Sequence, residues 1–198
     1  MTERGRLDRP QFVDNRDGNT LAAAINDYLS GLDDKLATTP DLDIVTGYFN
    51  PRGYFSVADG LDHVDQVRIL LGAEPDQEGA ERWRKPDEPR GEAYERQQID
   101  AALQSLDANL ERDRDLLGFS RRVDQGLQDL VEFLRSDSVE VRRHEDSFVH
   151  GKAYLFSDHE GVVAGSSNFT GAGLNANLEL NLGTYDPHVT GEVHDWFA

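Results

Sequence analysis

Three short stretches carry residue types able to do phosphorus chemistry: His150-Gly-Lys152, Gly165-Ser166-Ser167-Asn168 and Asn177-Leu-Glu179-Leu-Asn181. Splitting a phosphodiester without a metal takes a nucleophile that forms a covalent intermediate, cationic or amide donors for the charged equatorial oxygens, and a group that protonates the leaving oxygen. A neutral imidazole can attack phosphorus directly, and a carboxylate on its second nitrogen fixes the tautomer and steadies the charged form. His150 is thus the candidate nucleophile and Glu179 the candidate carboxylate. Lys152 and Asn168 offer a cation and an amide, Ser166 and Ser167 two hydroxyls. These residues supply the nucleophile and the donors; the leaving-group acid is not among them.

The elements that must position these groups read as short strands. On a strand alternate residues share a face, so within Phe148 to Phe156 the residues Phe148, His150, Lys152, Tyr154 and Phe156 point one way, and Val149, Gly151, Ala153 and Leu155 the other. The same rule places Asn177, Glu179 and Asn181 on one side of a strand ending near Leu182, with Leu178, Leu180 and Leu182 opposite. Between them the apolar run Gly161 to Ala164 ends in a small-residue turn, where backbone N–H groups and the Ser and Asn side chains can converge on an anion.

Upstream, apolar residues spaced by three and four over Asn19 to Leu36 predict an amphipathic helix, capped by Asn19 or Thr20. A strand at Leu42 to Phe49, a short helix opening at Pro51 and a strand at Val64 to Leu71 form a βαβ unit, the signature of a largely parallel, buried sheet. Gly72 to Gly91 is charged, with Pro75, Pro86 and Pro89, and reads as a loop. Helices follow at Glu92 to Leu117 and Phe119 to Leu134, then a strand at Val139 to Arg142. The expectation is one domain over residues 1–198 with a helical insertion around 73–136, and no repeat. Val193 to Ala198 reads as the opening of a helix, which suggests a domain of a longer protein.

Composition narrows the setting. The chain has 38 acidic and 20 basic residues, a net charge of −18, and Lys35, Lys85 and Lys152 are its only lysines. An Asp-rich, Lys-poor, Arg-retaining composition looks like that of proteins from salt-loving archaea, whose carboxylates keep the surface hydrated. At ~1 M salt the Debye length is about 3 Å, so the acidic surface does not veto a nucleic-acid partner, although binding then rests on short-range contacts. No run approaches the ~20 apolar residues that span a bilayer, and Met1 to Arg6 has no secretory character, so a cytoplasmic protein is expected. The absence of cysteine excludes disulfides and thiolate nucleophiles. His144, His159, His188 and His194 lack metal-ligand spacing with partnered carboxylates, so neither a metal nor another cofactor is expected. Thr170-Gly-Ala-Gly-Leu174 lacks the Lys of a phosphate-binding loop and reads as a turn. Tyr48, Phe49, Tyr54 and Phe55 read as core residues in preference to a base-stacking platform.

Taken together, His-x-Lys, Gly-Ser-x-Asn and a Glu eleven residues past the Asn resemble the phospholipase D superfamily, its nuclease branch in particular. Thr46-Gly-Tyr-Phe-Asn50 and Val67-Arg-Ile-Leu-Leu-Gly72 resemble its first two strands. The resemblance implies an α/β sandwich with a central mixed β-sheet flanked by helices on both faces. It implies that His150 forms a phosphohistidine, that Lys152 and Asn168 bind the phosphate oxygens with help from Ser166 or Ser167, and that Glu179 orients the histidine. One position departs: the lipase-type motif has Asp where Ser157 stands, with Asp158 one residue later, which favours a nuclease over a lipase. The superfamily's site uses two His-Lys pairs and this chain has one, which implies a homodimer through the motif face. The segment Phe12 to Asp17 resembles nuclease-like domains at the front of some archaeal and bacterial helicases, implying a helicase domain further along, DNA more than RNA as substrate, and no membrane partner. Two rivals stand beside this reading: a module that holds a phosphate without cleaving it, and a phospholipase, which the lack of an amphipathic helix with a basic face disfavours.

Overall fold

A computed structural model of the chain describes residues 9–36, 38–72, 121–144 and 149–198. The expected loop at 73–91, the expected helix at 92–117 and Phe148 lie outside the described residues. Helix α1 (Leu21–Lys35) buries Leu21, Ile25, Tyr28, Leu29 and Leu32, the stripe its spacing predicts. Thr20 is its N-cap, with Oγ1 accepting the Ala23 N–H at 3.2 Å. Strand β2 (Leu42–Thr46), helix α2 (Pro51–Leu61) and strand β3 (Val67–Gly72) form the expected unit. The strands run parallel, in register from Leu42↔Val67 to Thr46↔Leu71. Asn50 caps α2 and Pro51 occupies its first turn, where a missing N–H costs nothing. Helix α3 (Arg121–Arg135) leads to β4 (Val139–His144), which adds parallel to β3.

The second half is antiparallel. Strand β5 (Ala153–Phe156), the single turn α4 (Ser157–Glu160), strand β6 (Gly161–Gly165), the short helix α5 (Gly171–Asn175), strand β7 (Asn181–Thr184) and helix α6 (Pro187–Phe197) follow in turn. A short strand β1 (Phe12–Val13), not expected from the sequence, pairs with β7, giving one mixed sheet ordered β1-β7-β6-β5-β2-β3-β4. Four expected strands are shorter at one end: β2 stops at Thr46 short of Phe49, β3 begins at Val67 and not Val64, and two more start later than their alternation suggested. His150 lies ahead of β5, and Asn177 to Leu180 approach β7 without ladder pairing.

Helices cover both faces, unequally. On one face α1, α2, α3 and α5 pack onto Leu42, Ile44, Ile69, Tyr154, Phe156 and Val163. Tyr28 meets Phe156 edge-on at 4.9 Å, and its hydroxyl donates to the Glu160 carbonyl at 2.8 Å. The other face carries a smaller cluster of Val45, Val149, Leu155, Val162 and Phe197, roofed by α6. There the buried Asp43 carboxylate takes a two-pronged bond from Arg68 at 2.6 and 2.5 Å, which offsets its desolvation. The Arg68 guanidinium in turn lies 5.0 Å over the Phe197 ring. Among the described residues no helix is long and apolar enough to cross a membrane.

Candidate active site

Strand directions decide where the chemistry gathers. β2 is antiparallel to β5, β5 to β6, and β6 to β7, so β2 and β6 end at the edge of the sheet where β5 and β7 begin. Thr46-Gly47, Lys152, the turn after Gly165 and the Glu179-Asn181 segment therefore meet at one end. His150 is exposed and Lys152 is only 6% exposed. The Lys152 ammonium donates to the His150 carbonyl at 2.9 Å and stands 3.0 and 3.1 Å from Nδ1 and Nε2 of the same ring. Being nearly equidistant from both nitrogens, it lies along the lone-pair axis of neither. The His150-Lys152 neighbourhood predicted by alternation is present, although both residues lie ahead of β5.

Asn168 joins this pair through the loop after β2. Its Oδ1 accepts the Gly47 and Tyr48 N–H groups, each at 3.1 Å, and Thr46 Oγ1 lies at 3.4 Å. With Oδ1 held by the backbone, the Asn168 NH2 finds no acceptor among the described residues, so it can turn to a ligand oxygen. A methyl group added at Gly47 would stand 3.2 Å from Asn168 Oδ1 and 4.0 Å from Lys152 Nζ, so amide and ammonium flank the same bare glycine. Thr46, fully buried, ties the loop down: its hydroxyl donates to the Tyr48 carbonyl at 2.8 Å and accepts the Phe169 N–H at 2.9 Å.

The two serines divide their labour. Ser167 is fully buried. Its Oγ accepts from Asn181 Nδ2 at 2.9 Å, its N–H reaches Asn181 Oδ1 at 3.3 Å, and its carbonyl accepts the Tyr154 hydroxyl at 3.0 Å. It is part of the floor and cannot touch a phosphate, so of the two expected helpers only the exposed Ser166 is open to a ligand. Ser166 Oγ donates to the Glu179 carboxylate and accepts the Leu180 N–H at 3.0 Å. Glu179 thus holds Ser166, where the resemblance had it hold His150. Burial pushes the Tyr154 phenol far above its usual value, and the Glu179 charge adds to the shift.

Three further residues position the site, and the sequence reading assigned none of them a role. Asn181, buried beside Ser167, also donates to the Val13 carbonyl at 3.2 Å, locking the turn to β1. Asn15, in left-handed backbone at φ 61°, donates to the Gly173 and Asn177 carbonyls at 2.8 and 3.1 Å. Gly165 admits no side chain, because a methyl group there would collide with the Leu180 carbonyl. Ser157, where the lipase-type motif carries Asp, sits past the far end of β5. Five residues of extended chain put it about 16 Å from Lys152, so its identity takes nothing from the phosphate-binding groups. Its Oγ instead accepts the Asp41 N–H at 2.9 Å. Among the described residues no group of three or more His, Asp or Glu side chains could hold a metal ion.

Residues 37–198 match the family described as cardiolipin synthase, PLD-like domain. The chain belongs to the PLD-like family. It is therefore a domain of the phospholipase D superfamily of phosphodiesterases. No curated protein matches it in sequence. Among solved structures, polyphosphate kinase from Porphyromonas gingivalis shares the PLD-like fold at a TM-score of 0.52 and 12% identity, over 94% of this chain and 22% of that one. Nuc, a phospholipase D family member from Salmonella typhimurium, gives 0.48 at 13% identity over 94% and 90% of the two chains. NucT from Helicobacter pylori gives 0.43 at 12% over 90% and 89%.

Proposed function

We propose that this PLD-like domain cleaves nucleic acid through a phosphohistidine at His150 and works as a homodimer. The observation that carries the reading is the convergence at Gly47: the Lys152 ammonium and the Asn168 amide flank one glycine, with exposed His150 against the same ammonium. Lys152 Nζ and Asn168 Nδ2 hold the equatorial oxygens, where charge builds in the transition state. A His150 ring nitrogen forms the N–P bond as the P–O bond to the leaving strand breaks. The departing oxygen takes its proton from the imidazolium of a second copy of His150. Water then attacks phosphorus, the N–P bond breaks, and the water proton returns to the second imidazole. Ser166, held by Glu179, lines the rim.

The need for a second imidazole motivates the dimer, and an apolar surface supports it. Phe12, Leu182 and Ala164 are cross-strand neighbours on the face away from the large core, and Phe12 and Leu182 are 48% and 55% exposed. Leu180 and Leu178 continue the row at two-residue steps, 57% and 72% exposed, beside Glu179. A row of this kind on an acidic chain fits a partner that covers it. The nuclease branch is favoured by Ser157 in place of the lipase-type Asp. An attached helicase motor and DNA as substrate rest on the resemblance of Phe12 to Asp17, and the charge of −18 favours action in concentrated salt.

Nicking of plasmid DNA in molar KCl with a chelator present, by wild type and by His150→Ala, tests the reading. Wild type is expected to nick and the variant to be inert. Equal inactivity of both leaves a phosphate-holding module, and nicking by the variant removes His150 from the mechanism.

A further inference from the structure

The sheet ends differently at its two edges. β1 closes one with two residues, whereas β4 closes the other with six, and among the described residues no strand pairs with its outer side. The Val67 N–H donates to the Ser138 carbonyl at 2.9 Å. Backbone groups alternate in direction along a strand, so those of Glu140 and Arg142 also turn to β3, while those of Val141 turn outward. An outward row of this kind is a template for another strand. The side chains alternate as well. Glu140 and Arg142 share one face with Arg68 and bond each other at 2.7 and 3.1 Å. Val141 stands exposed between them on the opposite face, paired with Ile69 of the large core. Helix α3 carries that apolar face past the edge. Its flank toward α2 is filled, since Phe133 meets Tyr54 at 5.0 Å and a methyl group on Gly126 would stand 3.0 Å from the Phe55 ring. Val131 and Leu134 lie round the helix on the other flank, toward the open edge, and both are exposed.

We infer that β4 pairs antiparallel with β4 of a second copy, about a two-fold axis at Val141, so that one sheet runs through both molecules. In that register Val141 exchanges its backbone bonds with Val141 of the copy, and Glu140 stands directly opposite Arg142 of the copy. The Glu-Arg pairs then share no backbone bond, and in such pairs the Cα atoms come to about 4.5 Å. Unlike charges facing across strands stabilise a pairing and like charges destabilise it. The order Glu-Val-Arg is therefore complementary to itself in the antiparallel sense alone. The axis stands perpendicular to the sheet, so both α3 helices fall on one side, where Val131, Leu134 and Val141 of each copy cover one another. Six edge residues and one helix flank are small beside a standard interface of about 1,600 Å², so the contact forms only where molecules are concentrated. It lies at the opposite edge from Phe12. It is thus distinct from the proposed catalytic dimer, joins such dimers side by side, and does not depend on the nuclease reading.

The chain has no cysteine, so Val141→Cys places a single thiol at the axis. Facing residues that share backbone bonds have Cα atoms about 5.5 Å apart, within reach of a short bismaleimide. At high protein concentration Val141→Cys is expected to form covalent dimer roughly tenfold faster than Asp62→Cys, a control at the exposed end of α2. Within the Val141→Cys protein, Glu140→Arg sets Arg against Arg and Arg142→Glu sets Glu against Glu. Each is expected to cross-link roughly tenfold more slowly than its parent. An equimolar mixture of the two faces Glu with Arg again and is expected to recover the parent rate, its product carrying one chain of each kind by mass spectrometry. The rates are compared at the lowest salt that keeps each protein folded by circular dichroism, where facing charges are least screened. Cross-linking of Val141→Cys no faster than Asp62→Cys overturns the inference, as do single exchanges that keep the parent rate or a mixture as slow as its components. Nicking by wild type is measured apart from this, so loss of the nuclease reading leaves the contact standing, and loss of the contact leaves that reading standing.

Discussion

At the scale of single residues, the site depends as much on what is missing as on what is present. Gly47, itself buried, brings no side chain between Asn168 Oδ1 and the Lys152 ammonium. Gly47→Ala would place a methyl 3.2 Å from Asn168 Oδ1 while keeping the Gly47 and Tyr48 N–H bonds that hold it. Asn168 Oδ1 must then give by a few tenths of an ångström, less than the roughly 1 Å misplacement that costs about a hundredfold. The expected result is a reduced kcat/KM, well short of that loss, with the melting temperature little changed; full activity would show that the phosphate does not sit beside Gly47. The gathering of His150, Lys152 and Asn168 was legible as residue types at fixed spacing. The opposite fates of Ser166 and Ser167 were not, because adjacent hydroxyls look alike until Asn181 draws one of them into the floor.

Among elements, the βαβ unit and the helix caps could be read directly because each depends on near neighbours in sequence. Strand ends could not. Alternation over Phe148 to Phe156 and Asn177 to Leu182 correctly separated the polar side from the apolar one, with Asn181 buried and Leu180 and Leu182 exposed. Yet ladder pairing begins only at Ala153 and Asn181, since pairing is set by the partner strand and not by the period. β1 has two residues and therefore no period to detect. Asn181 shows how the elements are tied: it joins β7 to the Ser167 turn and to β1. Asn181→Ala leaves the Ser167 hydroxyl and N–H and the Val13 carbonyl without their partner, and each buried loss costs about 1–3 kcal/mol. A clear drop in denaturation midpoint together with reduced activity is expected, and wild-type stability would refute this role. Tyr28, which ties α1 to α4, makes a prediction in pH. Burial lifts its phenol from 10.0 to about 12, so the folded state favours the neutral form. Its contribution is complete below pH 10 and is lost as pH rises through about 12. The melting temperature of wild type should fall across that window more steeply than that of Tyr28→Phe; parallel curves would contradict it.

For the whole molecule, the distribution of surface is the informative property. A chain with net charge −18 keeps an exposed row of Phe12, Leu178, Leu180 and Leu182 next to the hydrogen-bonded pair Ser166 and Glu179. If that row seats a second copy, Leu180→Asp with Leu182→Asp should convert a dimer to a monomer by light scattering in molar KCl. Nicking should be lost with it while the fold is kept. A wild-type monomer that nicks at full rate would remove the second imidazole from the mechanism. The bond between His150 and phosphorus is the step on which every proposed role depends. Its most direct test is to quench the reaction on a single-stranded oligonucleotide under alkaline conditions, which preserve phosphohistidine, and to map the adduct by peptide mass spectrometry. A nucleotide-bearing mass is expected on the peptide containing His150 and is expected to be absent from His150→Ala. Sustained cleavage with no adduct on that peptide, or with the adduct on another residue, would contradict it.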